Sequence, residues 1–380
     1  MTTSTDTAAS FVNHELNPKY AYTEVLYQLR PLRNADGSVV EGLFNAWISL
    51  NNPKQYNSYT TTAVKEIILA LRQASNEPSV QCVIFTAVGD KAFCTGGNTK
   101  DYAEKYSGRP DEYRRYMRLF NDMVSALMAC DKPVINRVNG MRIGGGQEIG
   151  MACDFTVAAD TARFGQAGPK HGSAPVGGST DFLPLFVGWA KAVESCTLCE
   201  TWTAHQALGY GLINGIAPVM KKDGEYLPNP MAYTEAWFDS WGRPMWGMAK
   251  VGSDLKAAKE LMAECEIDFT LLDQETELLA WKLANTMPDC TTYTLENLRK
   301  HKLAHWDANK ESNRAWLALN MMTEGRAGFR TFNFAPREER QADFIEMRRG
   351  LANGARWNDE FVKTFAPYAT DAHALGGDQS

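Results

Sequence analysis

Long apolar runs and an excess of basic residues are both missing from this chain. No stretch approaches the roughly 20 consecutive apolar residues that a transmembrane helix needs. The 39 Lys and Arg residues are outnumbered by 45 Asp and Glu, which gives a net charge of -6. Basic residues do not cluster with aromatic ones, as they do on surfaces that bind nucleic acids. We therefore expect neither a membrane nor a nucleic acid as a partner.

Cysteine is also sparse, with 8 residues scattered through 380. A chain of this length needs no disulfide framework, so the pattern favours reduced thiols and a cytoplasmic location. The single CxxC, at Cys196 and Cys199, has no second pair beside it and is a weak sign of a metal or redox site. His301 and His305 stand one helical turn apart, but no HExxH motif or acidic ligand accompanies them. We expect no metal.

The composition is that of a folded protein, with 44% hydrophobic and 22% charged residues. Residues 1–18 are predicted to form a flexible N-terminal arm, because the first of them are polar and lack the features of a signal peptide. We place a core domain at residues 19–220 and a helical oligomerisation or extension region at residues 221–380. The chain is long enough for such a division.

Alternating strand and helix patterns predict an α/β architecture for the core. Residues Val39–Leu50 favour a strand, Thr60–Ala74 have helical spacing, and Val80–Val88 are apolar and β-branched like a buried parallel strand. The remaining predicted elements are a helix over 112–129, a strand over Val134–Val138, a short helix over 147–153 and a strand over Phe155–Ala159. Strand, helix and strand in repetition indicate crossover units of a parallel sheet.

Helical spacing dominates after Val219, as in residues 268–285 and 294–322, and strand-like runs are not expected there. Large aromatic residues on such helices usually pack in a core or between subunits. This interpretation applies to the tryptophans of the region, which are Trp237, Trp241, Trp246, Trp281, Trp306, Trp316 and Trp357.

Two glycine-rich corners carry free backbone amides. Gly144–Gly146 follows the strand Val134–Val138 and precedes a helical segment, and the first amides of a helix have no intrahelical acceptor. Gly97 offers a similar amide after the strand Val80–Val88. Two such amides can stabilise an oxyanion. A dinucleotide site is disfavoured because its third glycine would fall on Ile149, whereas glycines serving only tight packing stay an alternative.

Two side chains near these corners are candidates for acid or base catalysis. Glu148 lies in the first turn after the triple glycine, where a general base could reach a ligand held by the Gly145 amide. The helix dipole alone also favours an acid there. His171 lies in an irregular loop and is either an acid or base or a solvent-facing residue. Asp154 is more consistent with a structural acceptor at the turn from helix to strand.

Five stretches, in this order along the chain, resemble the enoyl-CoA hydratase/isomerase superfamily, the crotonases. They are NNPKQYNSYT from Asn51, KAFCTGGNTKDY from Lys91, KPVINRVNGMRIGGGQEIGMACDFTVAAD from Lys132, FGQAGPKHGS from Phe164 and TAHQALGYGLINGIAPV from Thr203. The resemblance implies a crotonase-like ββα spiral core of the α/β class with an extended, mostly helical C-terminal region. It further implies a trimer or homohexamer, an acyl-CoA substrate, and oxyanion-hole amides at Gly97 and Gly145.

The same resemblance implies catalytic roles for particular side chains. Of the two acid/base glutamates of a typical hydratase, one matches Glu148 and the other falls on Gly168. This departure disfavours ordinary enoyl-CoA hydration, and it leaves His171 or Asp181 as candidates for the vacant role. Gly168 itself is expected to border the substrate.

The positions that often line the CoA channel in this superfamily correspond here to Lys54, Gln55, Phe93, Cys94 and Thr95. No separate cofactor is implied, because coenzyme A is part of the substrate.

The motif mixture implies a hydrolase that opens the ring of a cyclic β-oxo acyl-CoA, of a kind met in anaerobic aromatic degradation. Such an enzyme adds water to an enone and then cleaves a C–C bond. Alternatives are another crotonase-superfamily hydratase or β-oxoacyl-CoA hydrolase, a catalytically silent acyl-CoA-binding scaffold, and a nucleotide-dependent oxidoreductase.

Overall fold

A computed structural model describes residues 20–370, so the predicted arm over residues 1–18 lies outside the described part. Most strands in this part of the chain are short, because many consecutive strands belong to different sheets. The strands are β1 (Val25–Arg33), β2 (Val39–Leu50), β3 (Val80–Ala87), β4 (Ala92–Cys94), β5 (Val134–Val138), β6 (Met141–Ile143), β7 (Phe155–Ala159), β8 (Arg163–Gly165), β9 (Thr201–Thr203), β10 (Gly215–Ala217), β11 (Met220–Lys222), β12 (Glu225–Leu227) and β13 (Glu266–Ile267).

Helices connect these strands and form most of the region from Gly252 onwards. They are α1 (Thr61–Asn76), α2 (Thr99–Asp101), α3 (Pro110–Met128), α4 (Gly145–Ala152), α5 (Ser179–Leu198), α6 (Ala204–Gly209), α7 (Gly252–Ala263), α8 (Thr270–Ala284), α9 (Pro288–Asn320), α10 (Glu324–Phe334), α11 (Phe344–Ala352) and α12 (Asp359–Phe365). A π-helical turn, Tyr102–Tyr106, follows α2, and α5 breaks at Gly188, whose φ is +75°.

Two sheets build a spiral. The larger has the order β1-β2-β3-β5-β7-β10, with β1 antiparallel to β2 and the other neighbours parallel. The smaller has the order β4-β6-β8-β9, with β4, β6 and β8 parallel. Each turn therefore contains a strand of the large sheet, a strand of the small sheet and then a helix, because parallel neighbours require a crossover. The predicted ββα spiral with a helical C-terminal region is confirmed.

The strands predicted over Val39–Leu50, Val134–Val138 and Phe155–Ala159 have the predicted bounds. The sequence-based interpretation missed the small sheet, because segments of three residues are too short to show a periodic pattern. It was also wrong in expecting no strand after Val219. Strands β11, β12 and β13, of two or three residues each, form a separate small sheet there.

The C-terminal helices pack on the spiral. One face of the large sheet carries α1, on which α3 packs, whereas α8 covers the opposite face, where Ala280 packs with Trp47 and Ile84. Of the tryptophans, Trp306 is fully buried, but Trp241 is 81% exposed in this single chain. Trp306 therefore confirms the predicted core role. Within residues 20–370, we find no helix that unites the length and the hydropathy needed to cross a bilayer.

Candidate active site

The first glycine corner follows β4 at the edge of the small sheet. Gly96 has a φ of +101°, a conformation that favours glycine. The segment before α1 pairs with this corner, since the Tyr59 amide donates to the Gly96 carbonyl at 3.0 Å and the Asn98 amide donates to the Tyr59 carbonyl at 3.1 Å. These two bonds fix the backbone on both sides of Gly97.

The second corner joins β6 to α4. Gly144 precedes the helix with a φ of +58°, and its amide donates to the Gly165 carbonyl at 3.0 Å. Gly145 begins α4, so its amide has no acceptor within the helix. A Cβ on Gly146 would lie 2.0 Å from the Cys94 carbonyl oxygen, which shows how closely α4 approaches β4.

The two corners touch each other. The Gly145 nitrogen lies only 3.1 Å from the position that a Cβ on Gly96 would occupy. Among the residues that the structure describes, neither the Gly97 amide nor the Gly145 amide has a hydrogen-bond acceptor. Both glycines line one cavity. Two free amides on one wall can donate hydrogen bonds to a negatively charged acyl oxygen.

That cavity receives residues from both halves of the chain. The spiral contributes both glycine corners, the loop around Gly168, and the side chain of Glu148. The C-terminal region contributes Leu317 of α9 and Phe329 of α10. The site is therefore complete only when the helical region is docked.

Glu148 is buried in the first turn of α4 and lines this cavity. Its Oε1 accepts hydrogen bonds from the Gly177 amide at 2.9 Å and the Ser179 amide at 3.3 Å. Desolvation outweighs these bonds and raises the pKa of Glu148 to about 8. A carboxyl group with such a pKa can both take up and release a proton near neutral pH.

Of the two candidates for the vacant acid/base role, only His171 lines the described cavity. Its ring packs edge-on against Phe332 with centroids 4.6 Å apart, and burial, followed by the Lys170 charge, lowers the pKa of His171. Asp181 is buried in the first turn of α5, outside that cavity lining, where its Oδ1 accepts from Asn309 Nδ2 at 2.6 Å. His171 therefore borders the cavity directly, whereas Asp181 acts on Glu148 through its charge, which helps to raise the pKa of Glu148.

The predicted CoA-channel residues are dispersed. Thr95 and Gly168 line the cavity. Phe93 and Cys94 do not belong to that lining, because β4 buries both side chains in the core. Cys94 instead supports the first corner, since its Sγ accepts from the Gly96 amide at 3.4 Å.

Lys54 and Gln55 lie exposed on a short turn before Tyr59. Gln55 Oε1 accepts a hydrogen bond from Asn98 Nδ2 at 3.1 Å, so this turn is tied to the first glycine corner. A contact of either side chain with coenzyme A stays a prediction.

Sequence reasoning missed the tyrosines of the cavity. Tyr59, Tyr102 and Tyr113 all line it, and the Tyr102 and Tyr116 hydroxyl groups lie 3.0 Å apart. A signal was available in the tyrosines at positions 102, 106, 113 and 116, because their spacing of four, seven and three residues suits one helical face. Burial raises the pKa of Tyr59 and of Tyr102 well above the usual value, so both phenols stay protonated.

Comparison with known proteins agrees with this architecture. The sequence profile of the enoyl-CoA hydratase/isomerase family matches residues 45–227, which include both glycine corners and Glu148. The chain belongs to the enoyl-CoA hydratase/isomerase family.

Within that family, three similar relatives are named 6-oxocyclohex-1-ene-1-carbonyl-CoA hydrolase. The protein of Thauera aromatica is 58% identical over 362 residues, which cover 95% of this chain and 96% of the relative. That of Geobacter metallireducens is 58% identical over 91% of both chains. That of Syntrophus aciditrophicus is 45% identical over 89% of this chain and 90% of its own.

Solved structures share the fold at lower identity. An enoyl-CoA hydratase from Mycobacterium avium subsp. paratuberculosis is 18% identical, with a TM-score of 0.58 over 82% of this chain and 96% of its own. One from Bacillus halodurans is 17% identical, with a TM-score of 0.59 over 81% of this chain and 99% of its own.

Proposed function

We propose that the protein is a 6-oxocyclohex-1-ene-1-carbonyl-CoA hydrolase that opens the ring of its substrate with two waters to give 3-hydroxypimeloyl-CoA. The observation that carries this proposal is one cavity with two free amides and a single lining carboxyl group, Glu148, among the described residues. An ordinary hydratase pairs two carboxyl groups, and Gly168 stands where the second is expected. Relatives with this activity in their name match nearly the entire chain.

The first water adds to the ring double bond. The thioester carbonyl is conjugated to that bond, so attack at ring carbon 2 moves an electron pair to carbon 1 and onto the acyl oxygen. The Gly97 and Gly145 amides stabilise the resulting enolate. Protonation of carbon 1 then completes the hydration and leaves a β-hydroxy, β-oxo thioester with an intact ring.

The second water breaks the ring. It attacks the ketone carbon, ring carbon 6, and forms a tetrahedral adduct after losing a proton to the base. The bond between carbons 1 and 6 then cleaves, carbon 6 becomes a carboxyl group, and the electron pair returns to carbon 1 as the same kind of enolate. Protonation of carbon 1 gives 3-hydroxypimeloyl-CoA, so the product equals substrate plus two waters.

Glu148 is the group that moves these protons. In each step it accepts a proton from the attacking water and returns a proton to carbon 1, and a raised pKa suits a group that must do both. His171 is the second candidate, because it borders the same cavity and burial keeps its imidazole neutral.

The proposal also covers the cofactor, the oligomeric state and the cellular location. We expect no cofactor besides the coenzyme A of the substrate, since the amides and one carboxyl group supply every step above. We expect a trimer or hexamer in the cytoplasm. Trp189 of α5 is 77% exposed and Leu198 56% exposed in the single chain, as expected of residues that contact another subunit.

Incubation of the purified enzyme with 6-oxocyclohex-1-ene-1-carbonyl-CoA in ¹⁸O-labelled water tests the proposal. We expect a product heavier by two waters, with one label in a hydroxyl group and one in a new carboxyl group. A product that stops at one water with the ring intact would reduce the protein to a hydratase. Binding without any product would indicate a catalytically silent scaffold.

A further inference from the structure

Tyr59 is wedged between the two glycine corners. Its backbone is bonded to Gly96 and Asn98 of the first corner. Its hydroxyl group presses against the second corner, since a Cβ on Gly145 would lie 2.1 Å from the Tyr59 oxygen. Its ring packs on Phe120 with centroids 5.8 Å apart, and only 3% of the residue is exposed. Tyr59 is therefore held rigidly beside both free amides.

The Tyr59 hydroxyl group forms no hydrogen bond within the described chain. No group among residues 20–370 forms a hydrogen bond with it, and the residue lines the cavity. By contrast, the neighbouring Tyr102 and Tyr116 hydroxyl groups pair with each other. Burial raises the pKa of Tyr59 well above its usual value, so its phenol keeps its proton and can donate. The Tyr59 oxygen is not one of the fully buried polar atoms without a partner, so it is accessible from the cavity, where a ligand can accept its hydrogen bond.

The proposed reaction needs such a donor. The substrate has two carbonyl oxygens, and the Gly97 and Gly145 amides can serve only the thioester oxygen. When water attacks the ring ketone, a full negative charge develops on the second oxygen. Hydration of the double bond, in contrast, spreads its charge over both carbonyl groups. A donor to the ketone oxygen should therefore matter most in ring cleavage.

We propose that Tyr59 is a catalytic residue that donates its phenolic hydrogen bond to the ring ketone oxygen of the substrate and thereby promotes C–C cleavage more than hydration. The proposal rests on the proposed function. It gives the site a second, separate donor next to the amide pair, and it assigns a chemical use to a hydroxyl group that the fold leaves free.

The test is Tyr59→Phe in the full-length enzyme, with rapid quenching and product mass analysis. We expect ring cleavage to slow by about 100-fold, the low end of what loss of one oxyanion donor costs. Hydration should slow by less than tenfold, so that the one-water, ring-intact thioester accumulates. Affinity for cyclohexanecarbonyl-CoA, which has no ketone, should not change.

The matched control is Tyr106→Phe. Tyr106 belongs to the same aromatic cluster, with its ring stacked on Tyr116 at 5.2 Å, but it does not line the described cavity. This variant should match the wild type in both steps.

Equal slowing of hydration and cleavage in Tyr59→Phe, or weaker binding of cyclohexanecarbonyl-CoA, would reduce Tyr59 to a support of the glycine corners and overturn the proposal. Unchanged cleavage would overturn it as well. If the variant does not fold, 3-fluorotyrosine incorporated at position 59 replaces it, and its more acidic phenol should accelerate cleavage relative to hydration. If the wild type yields no two-water product, the proposed function itself fails, whatever the variant does.

Discussion

The two walls of the cavity are built by different means. The spiral wall presents backbone amides and Glu148 from two glycine corners, whereas the C-terminal wall presents the apolar side chains of Leu317 and Phe329. The first wall depends on local chain geometry at a few glycines. The second depends on how α9 and α10 dock on the spiral. We infer that the residues of the spiral wall carry out the reaction. The helical wall determines which substrate shapes fit the cavity.

The docking of the helical wall is close and specific. Asn320 Nδ2 donates to the Gly172 carbonyl at 2.5 Å. A Cβ on Gly328 of α10 would lie 2.1 Å from the His171 carbonyl oxygen. The loop with Gly168 and His171 is thus clamped by α10, so the helical wall also positions part of the spiral wall.

The largest effect should follow a change in the spiral wall. Glu148→Gln keeps the shape of the side chain but removes the proton acceptor, so turnover should fall by at least about 100-fold while thioester binding is retained. Steady-state kinetics and titration with an unreactive thioester measure the two effects. The control is Glu112→Gln, because Glu112 also lies in a first helical turn, but its side chain is 47% exposed and pairs with Arg115 away from the cavity. Unchanged turnover would remove Glu148 from its role.

A change in the helical wall should affect binding more than chemistry. Gly328→Ala places a methyl group against the His171 carbonyl and pushes α10 outward, so KM should rise by about tenfold, within the 1–3 kcal/mol that overpacking costs. The turnover number should fall less.

Gly215→Ala is the matched control for this change, because nothing lies within 4 Å of its Cβ position. Measurement of kcat and KM for both variants decides the point. A fall in kcat with an unchanged KM would contradict the division of labour between the two walls.

The smallest effect concerns stability. The folded-state pKa of Glu148 is raised to about 8, so between pH 5 and 8 the unfolded chain loses this proton while the folded chain keeps it. Stability therefore decreases with rising pH, and Glu148→Gln removes this dependence. The free energy of unfolding of the variant, relative to the wild type, should rise from pH 5 to pH 8 by at least about 1.4 kcal/mol, the equivalent of one pKa unit.

Urea unfolding at the two pH values measures this difference. The Glu112→Gln variant should show no such trend. A difference that stays constant from pH 5 to pH 8 would mean that Glu148 is already ionised in the folded protein.

Sequence alone predicted the spiral wall well, because its parts are local. A triple glycine after an apolar strand, followed by Glu148, specifies a corner whose free amide and carboxyl group line the same cavity. The long strands of the large sheet were also predictable from runs of Val, Ile and Phe. The three-residue strands of the small sheet were not, since their pairing is fixed by tertiary contacts.

The helical wall was beyond prediction for a physical reason. Nothing in the sequence around Leu317 or Phe329 indicates that these residues face Gly97 across a cavity, because that contact depends on long-range docking. Tyr59 is an intermediate case. Its position between two glycine corners follows only from the pairing of its backbone with Gly96.

The most direct test of the account is an experimental structure of the enzyme with cyclohexanecarbonyl-CoA, a thioester that lacks both the double bond and the ketone. We predict that the Gly97 and Gly145 nitrogens both lie about 2.7–3.1 Å from the thioester oxygen, the range expected for oxyanion donors. A thioester oxygen bound elsewhere, or held by only one of the two amides, would contradict the account.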